Sequence, residues 1–183
     1  MNLVLANNRM ISNQEARQRI KVTQGNFLEA DDVEAWGCFV TQDMSWDGAL
    51  NQAILKEAGD ELDEHILENV FQPKTGQVFC LPAFGAPVDR ILLGILPKWR
   101  DGLFDEEQLV RRCYKHLMMS IAENNITSVA LPALGAGQRS FPQRRVVRLT
   151  LSVVFEHMPD CLESLQIVCK DSGAFDAYQE RLS

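Results

Sequence analysis

Along this chain, short apolar runs alternate with stretches whose apolar residues recur every three or four positions. The run at 35–40 is continuous and apolar, as in a strand buried on both faces. Similar signals predict strands at 19–23, 77–81, 90–96, 127–131 and 165–169. Between them, Trp46, Leu50, Ala53 and Ile54 recur at helical spacing, with Ser45 as the expected N-cap and Gly59 as the stop. A short helix is expected over 63–70. Asp105 and Gln108 make a start resembling a capping box for the longest helix, striped by Val110, Cys113, Leu117 and Ile121. Pro142 suits the first turn of another, continued by Val146, Leu149 and Val153. Ser172 is the expected cap of a terminal helix reaching Arg181. Strands alternating with helices in this way predict an α/β sandwich around a largely parallel sheet. Residues 1–18 read less clearly, as an N-terminal arm or an extra strand at 3–5. Residues 19–183 read as a single domain.

The chain has 183 residues, a length that suits one domain. Its 46% hydrophobic and 23% charged residues exclude a disordered or low-complexity chain. No apolar run is long enough to span a bilayer. The first residues lack the basic and apolar regions of a signal peptide, so a cytoplasmic protein is expected. With 18 Lys and Arg against 25 Asp and Glu, the net charge is −7. Bulk charge therefore makes no case for nucleic acid as a partner. The five cysteines form no CxxC pair, and none stands at ligand spacing from His65, His116 or His157. They read as reduced, inert thiols, and no metal site or disulfide framework is expected.

In an open parallel sheet, ligands bind beyond the carboxyl ends of the strands. Three loops fall there. The first is Gln24-Gly25-Asn26-Phe27. The second runs from Thr41 to Ala49 and carries Asp43 and Asp47. The third is Leu134-Gly135-Ala136-Gly137-Gln138-Arg139-Ser140-Phe141-Pro142. Its two glycines let main-chain N–H groups approach a ligand, and the following helix start favours a phosphate. The same glycines also suit a plain strand–turn–helix connection. Asp43 and Asp47 beside a helix start either complement the helix dipole or contact a ribose hydroxyl or a water. Arg139, Arg144, Arg145 and Arg148 crowd the last loop, where Arg144 and Arg148 share one helix face. They form a solvated face or an anion contact. The chain has no GxSxG, GxxxxGK[ST], GxGxxG or HExxH motif.

These loops, in this order, resemble the macrodomain family over residues 19–182. Ile20-Lys21-Val22-Thr23-Gln24-Gly25-Asn26-Phe27 resembles the family's first strand and its Gly-Asp-hydrophobic turn. Trp46-Asp47-Gly48-Ala49-Leu50-Asn51 resembles its hydrophobic-Asp-Gly-Ala-Ile-His segment, and 76–97 its strand pair ending in proline. Residues 129–137, with Phe141-Pro142, resemble its strand, phosphate loop and aromatic. The resemblance implies a three-layer α/β/α sandwich with a mixed, mostly parallel sheet and a cleft for ADP-ribose. Asn26 falls where the family has an adenine-contacting Asp, and the Phe27 N–H would face the adenine. Ser45, Trp46 and Asp47 fall in the first diphosphate loop. Gly135, Ala136, Gly137 and Gln138 would wrap the diphosphate from the other side, with Phe141 beside the distal ribose.

The sequence also departs from the family. Its Asn-rich strand end and four-glycine loop are replaced by Thr41-Gln42-Asp43-Met44-Ser45. One hydrolase branch pairs that Asn with an Asp, and only the Asp is matched, by Asp47. A shorter-looped branch, which removes ADP-ribose from acidic side chains, uses a Lys and an Asp past the GxG. Lys98 falls at the Lys, but Arg139 stands at or beside the Asp. The resemblance thus implies a reader of ADP-ribose, of a related nucleotide metabolite or of ADP-ribosylated protein, without metal or redox cofactor. One alternative is an ADP-ribosyl hydrolase in which Asp47 or Asp43 places a water, or Lys98 attacks the sugar. The other is an interaction scaffold whose cleft is blocked by Met44 and Trp46.

Overall fold

The computed structural model describes residues 11–134 and 141–183. Helix α1 (Asn13–Arg19) is closed by a capping box between Ser12 and Glu15. It leads into β1 (Ile20–Gln24), and a single 3-10 turn follows at Phe27–Glu29. Next come β2 (Ala35–Val40), α2 (Ala49–Ala58), α3 (Asp60–Asn69), β3 (Val78–Pro82) and β4 (Arg90–Ile95). The chain ends with α4 (Glu106–Glu123), β5 (Ser128–Pro132), α5 (Gln143–His157), β6 (Ser164–Cys169) and α6 (Ser172–Leu182).

The six strands form one sheet in the order β1-β6-β5-β2-β4-β3. All neighbours are parallel except β3 and β4, which pair antiparallel. Every residue of β2 is buried, and successive side chains feed opposite faces. Ala35 and Phe39 join one apolar cluster with Leu92, Cys113, Leu117, Val146 and Val153. Trp36, Cys38 and Val40 join another with Ile54, Leu62, Ile66, Ile91 and Leu93. Helices α4 and α5 thus cover one face, and α2 and α3 the other. This is the expected three-layer sandwich with its mixed, mostly parallel sheet.

The strands fall within a residue or so of their expected positions, but several helix starts do not. Ser45 does not cap α2, whose N-cap is Gly48 at φ 96°. Asp105 makes no side-chain cap for α4. The following Glu106 carboxylate instead accepts from the N–H groups of Arg100 and Phe104, at 2.6 and 2.8 Å. Pro142 stands at the N-cap of α5 rather than inside its first turn. Asp171, not Ser172, caps α6: its Oδ1 accepts from the Ala174 N–H at 2.9 Å. At the N-terminus, the polar stretch expected as an arm carries α1, with Ala16 fully buried. The strand expected at 3–5 lies outside the described residues.

Glu34 ties together the strand ends opposite the carboxyl edge. Its Oε2 accepts from the Thr127 N–H and hydroxyl, at 2.5 and 2.8 Å. Its carbonyl accepts from the N–H groups of Asp89 and Arg90. The Thr127 N–H, above all, holds the Glu34 carboxyl below its ordinary value of 4.5.

Two predictions concern stability. Asp171→Ala should lower unfolding free energy by about 1 kcal/mol, the usual cost of a lost N-cap, while Ser172→Ala should change it by about half that or less. Urea denaturation of both variants checks this. For Glu34, a depressed carboxyl pKa means that the anion stabilises the fold above the ordinary carboxylate range. That stability is lost as pH falls through the folded-state value. Glu34→Gln should therefore be less stable than wild type at pH 7. The gap should close in denaturation curves taken below about pH 4.5, the ordinary value.

Candidate functional site

The carboxyl ends of β1, β2, β5 and β6 meet at a cleft of about 950 Å³. The first loop supplies Gly25, Asn26, Phe27 and Leu28. Its position follows from packing. The Gly25 N–H donates to the Cys169 carbonyl at 3.0 Å, extending the β1–β6 pairing by one residue. The Phe27 ring packs on Trp36, 5.6 Å between centroids. Trp36 is fully buried and donates its indole N–H to the Ala30 carbonyl at 2.6 Å. The 3-10 turn is thereby pinned to the central strand. Within it, the Asn26 Oδ1 accepts from the Leu28 N–H at 3.2 Å.

The second loop contributes Thr41, Ser45 and Asp47 to the cleft, followed by Gly48, Ala49 and Leu50 of the helix start. Met44 and Trp46 do not line it. Both pack, partly buried, against the cluster beneath α2 and α3. The bulky residues expected to obstruct the opening therefore pack against the side of that cluster instead of lining the cleft. Asp43 is not a lining residue either. Its Oδ1 accepts from the Thr41 hydroxyl and from the Ser45 N–H, closing a tight turn in which Met44 takes φ 57°. The Thr41 hydroxyl, the Ser45 N–H and the positive charge of Lys98 together hold the Asp43 carboxyl below its usual range. Lys98, beyond the end of β4, lines the cleft together with Asp47.

Asn51, absent from the sequence reading of the site, holds this loop. It is buried and lies at the cleft floor. Its Nδ2 donates to the carbonyls of Phe39 at 2.8 Å and Asp47 at 3.2 Å. One side chain thus links the end of β2 to the residue before Gly48. Its signal in the sequence is its place three residues into the Asp-Gly-Ala helix.

The third loop's expected diphosphate residues Gly135, Ala136, Gly137 and Gln138, and Arg139 with them, lie outside the described residues. Leu134, just before them, lines the cleft. Phe141, just after, does not: its ring is buried against Trp99 at 6.0 Å. The arginines of α5 also stay out. Arg144 lies 3.9 Å from Glu180, and Arg145 pairs with Glu107 and stacks over Trp99. With Arg148 and Arg181 they line a separate groove between α5 and α6. A fourth loop, Lys170-Asp171 after β6, does line the cleft. The strand-end rule that marks the other three loops also marks this one.

The thiol of Cys169, next to Lys170, is pushed up to about 11 by burial, so it stays protonated near neutrality. No group of three His, Cys, Asp or Glu among the described residues could hold a metal ion. No helix among them is long and apolar enough to cross a membrane.

Comparison with known proteins adds a family to this geometry. The chain is 28% identical over 112 residues to O-acetyl-ADP-ribose deacetylase 1 of Pantoea vagans, a match covering 60% of this chain and 66% of that protein. It is 26% identical over 172 residues to the O-acetyl-ADP-ribose deacetylase of Shigella flexneri, covering 91% and 97% of the two chains. The Trypanosoma brucei macrodomain, solved in complex with ADP-ribose, has the same fold, with a TM-score of 0.78 and 17% identity over 98% of this chain and 76% of that one. The family model described as Macro domain matches residues 40–150, from the end of β2 to the middle of α5, and the chain belongs to that family.

Proposed function

We propose that this protein binds ADP-ribose, free or carried on a protein, in the cleft at the carboxyl ends of the strands. The observation that carries the reading is the cleft's composition. Apolar walls from Leu28, Leu50, Val168 and Ala174 meet polar groups from Asn26, Ser45, Asp47, Lys98 and Lys170. Such a mixture suits a ligand with a flat apolar base, hydroxylated riboses and a charged diphosphate. Lys98 and Lys170 line the cleft beside Asp47 and Asp171, and among the described residues the two ammonium groups are the cations there that a diphosphate could meet. The packing of Met44 and Trp46 against the core supports an open cleft over a blocked scaffold. In the sequence, Gly135 and Gly137 follow the lining residue Leu134, and the family resemblance gives their N–H groups to the diphosphate.

Hydrolysis is the second reading. It is favoured by the activity named in the Pantoea and Shigella relatives and by Asp47 and Lys98 lining one cleft. The bond from the distal ribose to its substituent would break, with water giving a hydroxyl to one fragment and a proton to the other. Asp47 would place that water. Asp43, held by Thr41 and Ser45, would serve as a loop brace and as an electrostatic partner of Lys98 rather than as a base.

Gly25 offers a test of binding. A Cβ added there meets no atom within 4 Å, although the φ of 158° favours glycine, and the residue lines the cleft, so the variant's melting curve is read beside its affinity. Gly25→Phe should reduce ADP-ribose affinity by about tenfold or more in calorimetric titration, the scale of a lost binding contact. An unchanged affinity, with a wild-type melting curve, would place the ligand elsewhere.

Turnover is a separate measurement, made on ADP-ribosylated protein and on O-acetyl-ADP-ribose. The reader assignment expects binding without turnover in wild type. If turnover occurs, Asp47→Ala should lower kcat by about 100-fold or more, as for a lost water-positioning group, while Lys98→Ala should be tolerated. Loss of activity only in Lys98→Ala, with a trapped sugar adduct in wild type, would assign the chemistry to the lysine.

A further inference from the structure

The groove between α5 and α6, of about 580 Å³, takes no part in the cleft. Val147 and Ala177 lie in it, between Arg144 and Arg148 of α5 and Arg181 of α6, with Glu180 beside them. Arg145 also lines the groove but is paired with Glu107. Arg144 comes within 3.9 Å of Glu180, yet the two side chains are 87% and 71% exposed, so water screens the pair and it contributes little. The groove keeps an excess of positive charge. Within α5 that charge is unfavourable. Arg144 and Arg145 stand in the first turn, at the positive end of the helix dipole, and no acidic residue of that turn offsets them. Arg144 and Arg148, four residues apart, repel along one face.

The other face of the sheet carries the opposite charge. Helix α3 exposes Asp60, Glu61, Asp63, Glu64 and Glu68, and none of them forms an ion pair among the described residues. The first three suit the positive end of their helix. Glu64 and Glu68 do not: they repel each other at a spacing of four, and Glu68 lies in the last turn, at the negative end. By their spacing, Asp60, Glu64 and Leu67 share the outward face, opposite the buried Leu62 and Ile66. Leu67 is 72% exposed, and Phe71, just beyond the helix, 75%. A helix with acidic and apolar anchors on one outward face has the form of a ligand for a groove between two other helices.

We propose that α3 of one copy of this chain docks in the α5–α6 groove of another. Asp60 and Glu64 meet the guanidinium groups of Arg144 and Arg148, and Leu67 meets Val147 and Ala177. Each surface offsets the self-repulsion of the other, and the planar fork of arginine takes a carboxylate bidentately. Because α3 packs on one face of the sheet and α5 with α6 on the other, the contact joins unlike surfaces. Such a heterologous contact continues head to tail, into a chain or a closed ring.

Sedimentation velocity at about 0.01 M and about 1 M salt tests this, since screening lengths of about 30 and 3 Å separate charge pairing from apolar contact. Wild type should associate increasingly with protein concentration at low salt and sediment as a monomer at high salt. Two double variants each remove one side: Arg144→Gln with Arg148→Gln, and Asp60→Asn with Glu64→Gln. All four residues are exposed, so melting curves should match wild type. Either variant alone should associate about tenfold more weakly or less still, the scale of a lost close charge pair. Mixed in equal amounts, the intact helix of one meets the intact groove of the other, and a 1:1 dimer should form that grows no further. A wild type that stays monomeric at low salt, an association unmoved by salt or by either variant, or a mixture that gives no dimer would overturn the proposal. So would a monomeric wild type that binds a polyglutamate peptide through Arg144 and Arg148, which would give the groove to a foreign acidic chain.

Discussion

The burial of β2 on both faces is the constraint on which the rest of the molecule depends. A strand with six consecutive buried residues must have a helical layer above and below it. Its two neighbours, β4 and β5, run parallel to it, so their connections must cross over the sheet as helices. Those crossovers supply the covering layers, and they bring the loops at the strands' carboxyl ends to one edge. The cleft is a consequence of that geometry before any side chain in it is considered. At the opposite edge, Glu34 binds the starts of β4 and β5 to β2 through main-chain and carboxylate bonds.

The cleft then takes its detail from a few fixed side chains. Asn51 fastens the loop carrying Asp47 to the end of β2, and Trp36 fastens the turn carrying Asn26 to its middle. Both anchors sit on or contact the same central strand. A loop that has lost its glycines can still border an open cleft because its large residues, Met44 and Trp46, have apolar surface to pack against behind it. Charge of both signs reaches the opening, from Lys98 and Lys170 and from Asp47 and Asp171, all carried on segments that follow strands. The arginines that crowd the start of α5 are drawn instead to Glu107, Glu180 and the Trp99 ring.

Much of this was legible in the sequence. The runs at 35–40 and 90–96, the stripe of α4 and the loop order gave the sandwich and the edge where the site would lie. Hydrophobic periodicity records which residues face a core, and that decides strand or helix. The starts of helices were read less well. Ser45 and Ser172 are good capping residues, but a cap forms only where the preceding chain delivers it. The turn closed by Asp43 delays α2 to Gly48, and the end of β6 brings Asp171, not Ser172, to the first turn of α6. Helix α1 was missed because it buries only Ala16, too little apolar surface to write a stripe.

The sequence by itself determined the α/β class, the family resemblance and the identities of Asn26, Ser45, Asp47 and Lys98 as groups near one edge. The class and the loops follow from local pattern and chain order, and Lys98 from the family resemblance. Only the tertiary structure decided that Phe141 is buried, that Met44 and Trp46 pack against the core instead of lining the cleft, that Asn51, Lys170 and Asp171 join the cleft, and that the Asn26 oxygen accepts from the Leu28 N–H. The physical reason is that a side chain's direction and its remaining hydrogen-bonding capacity depend on neighbours distant in sequence, which no local pattern encodes.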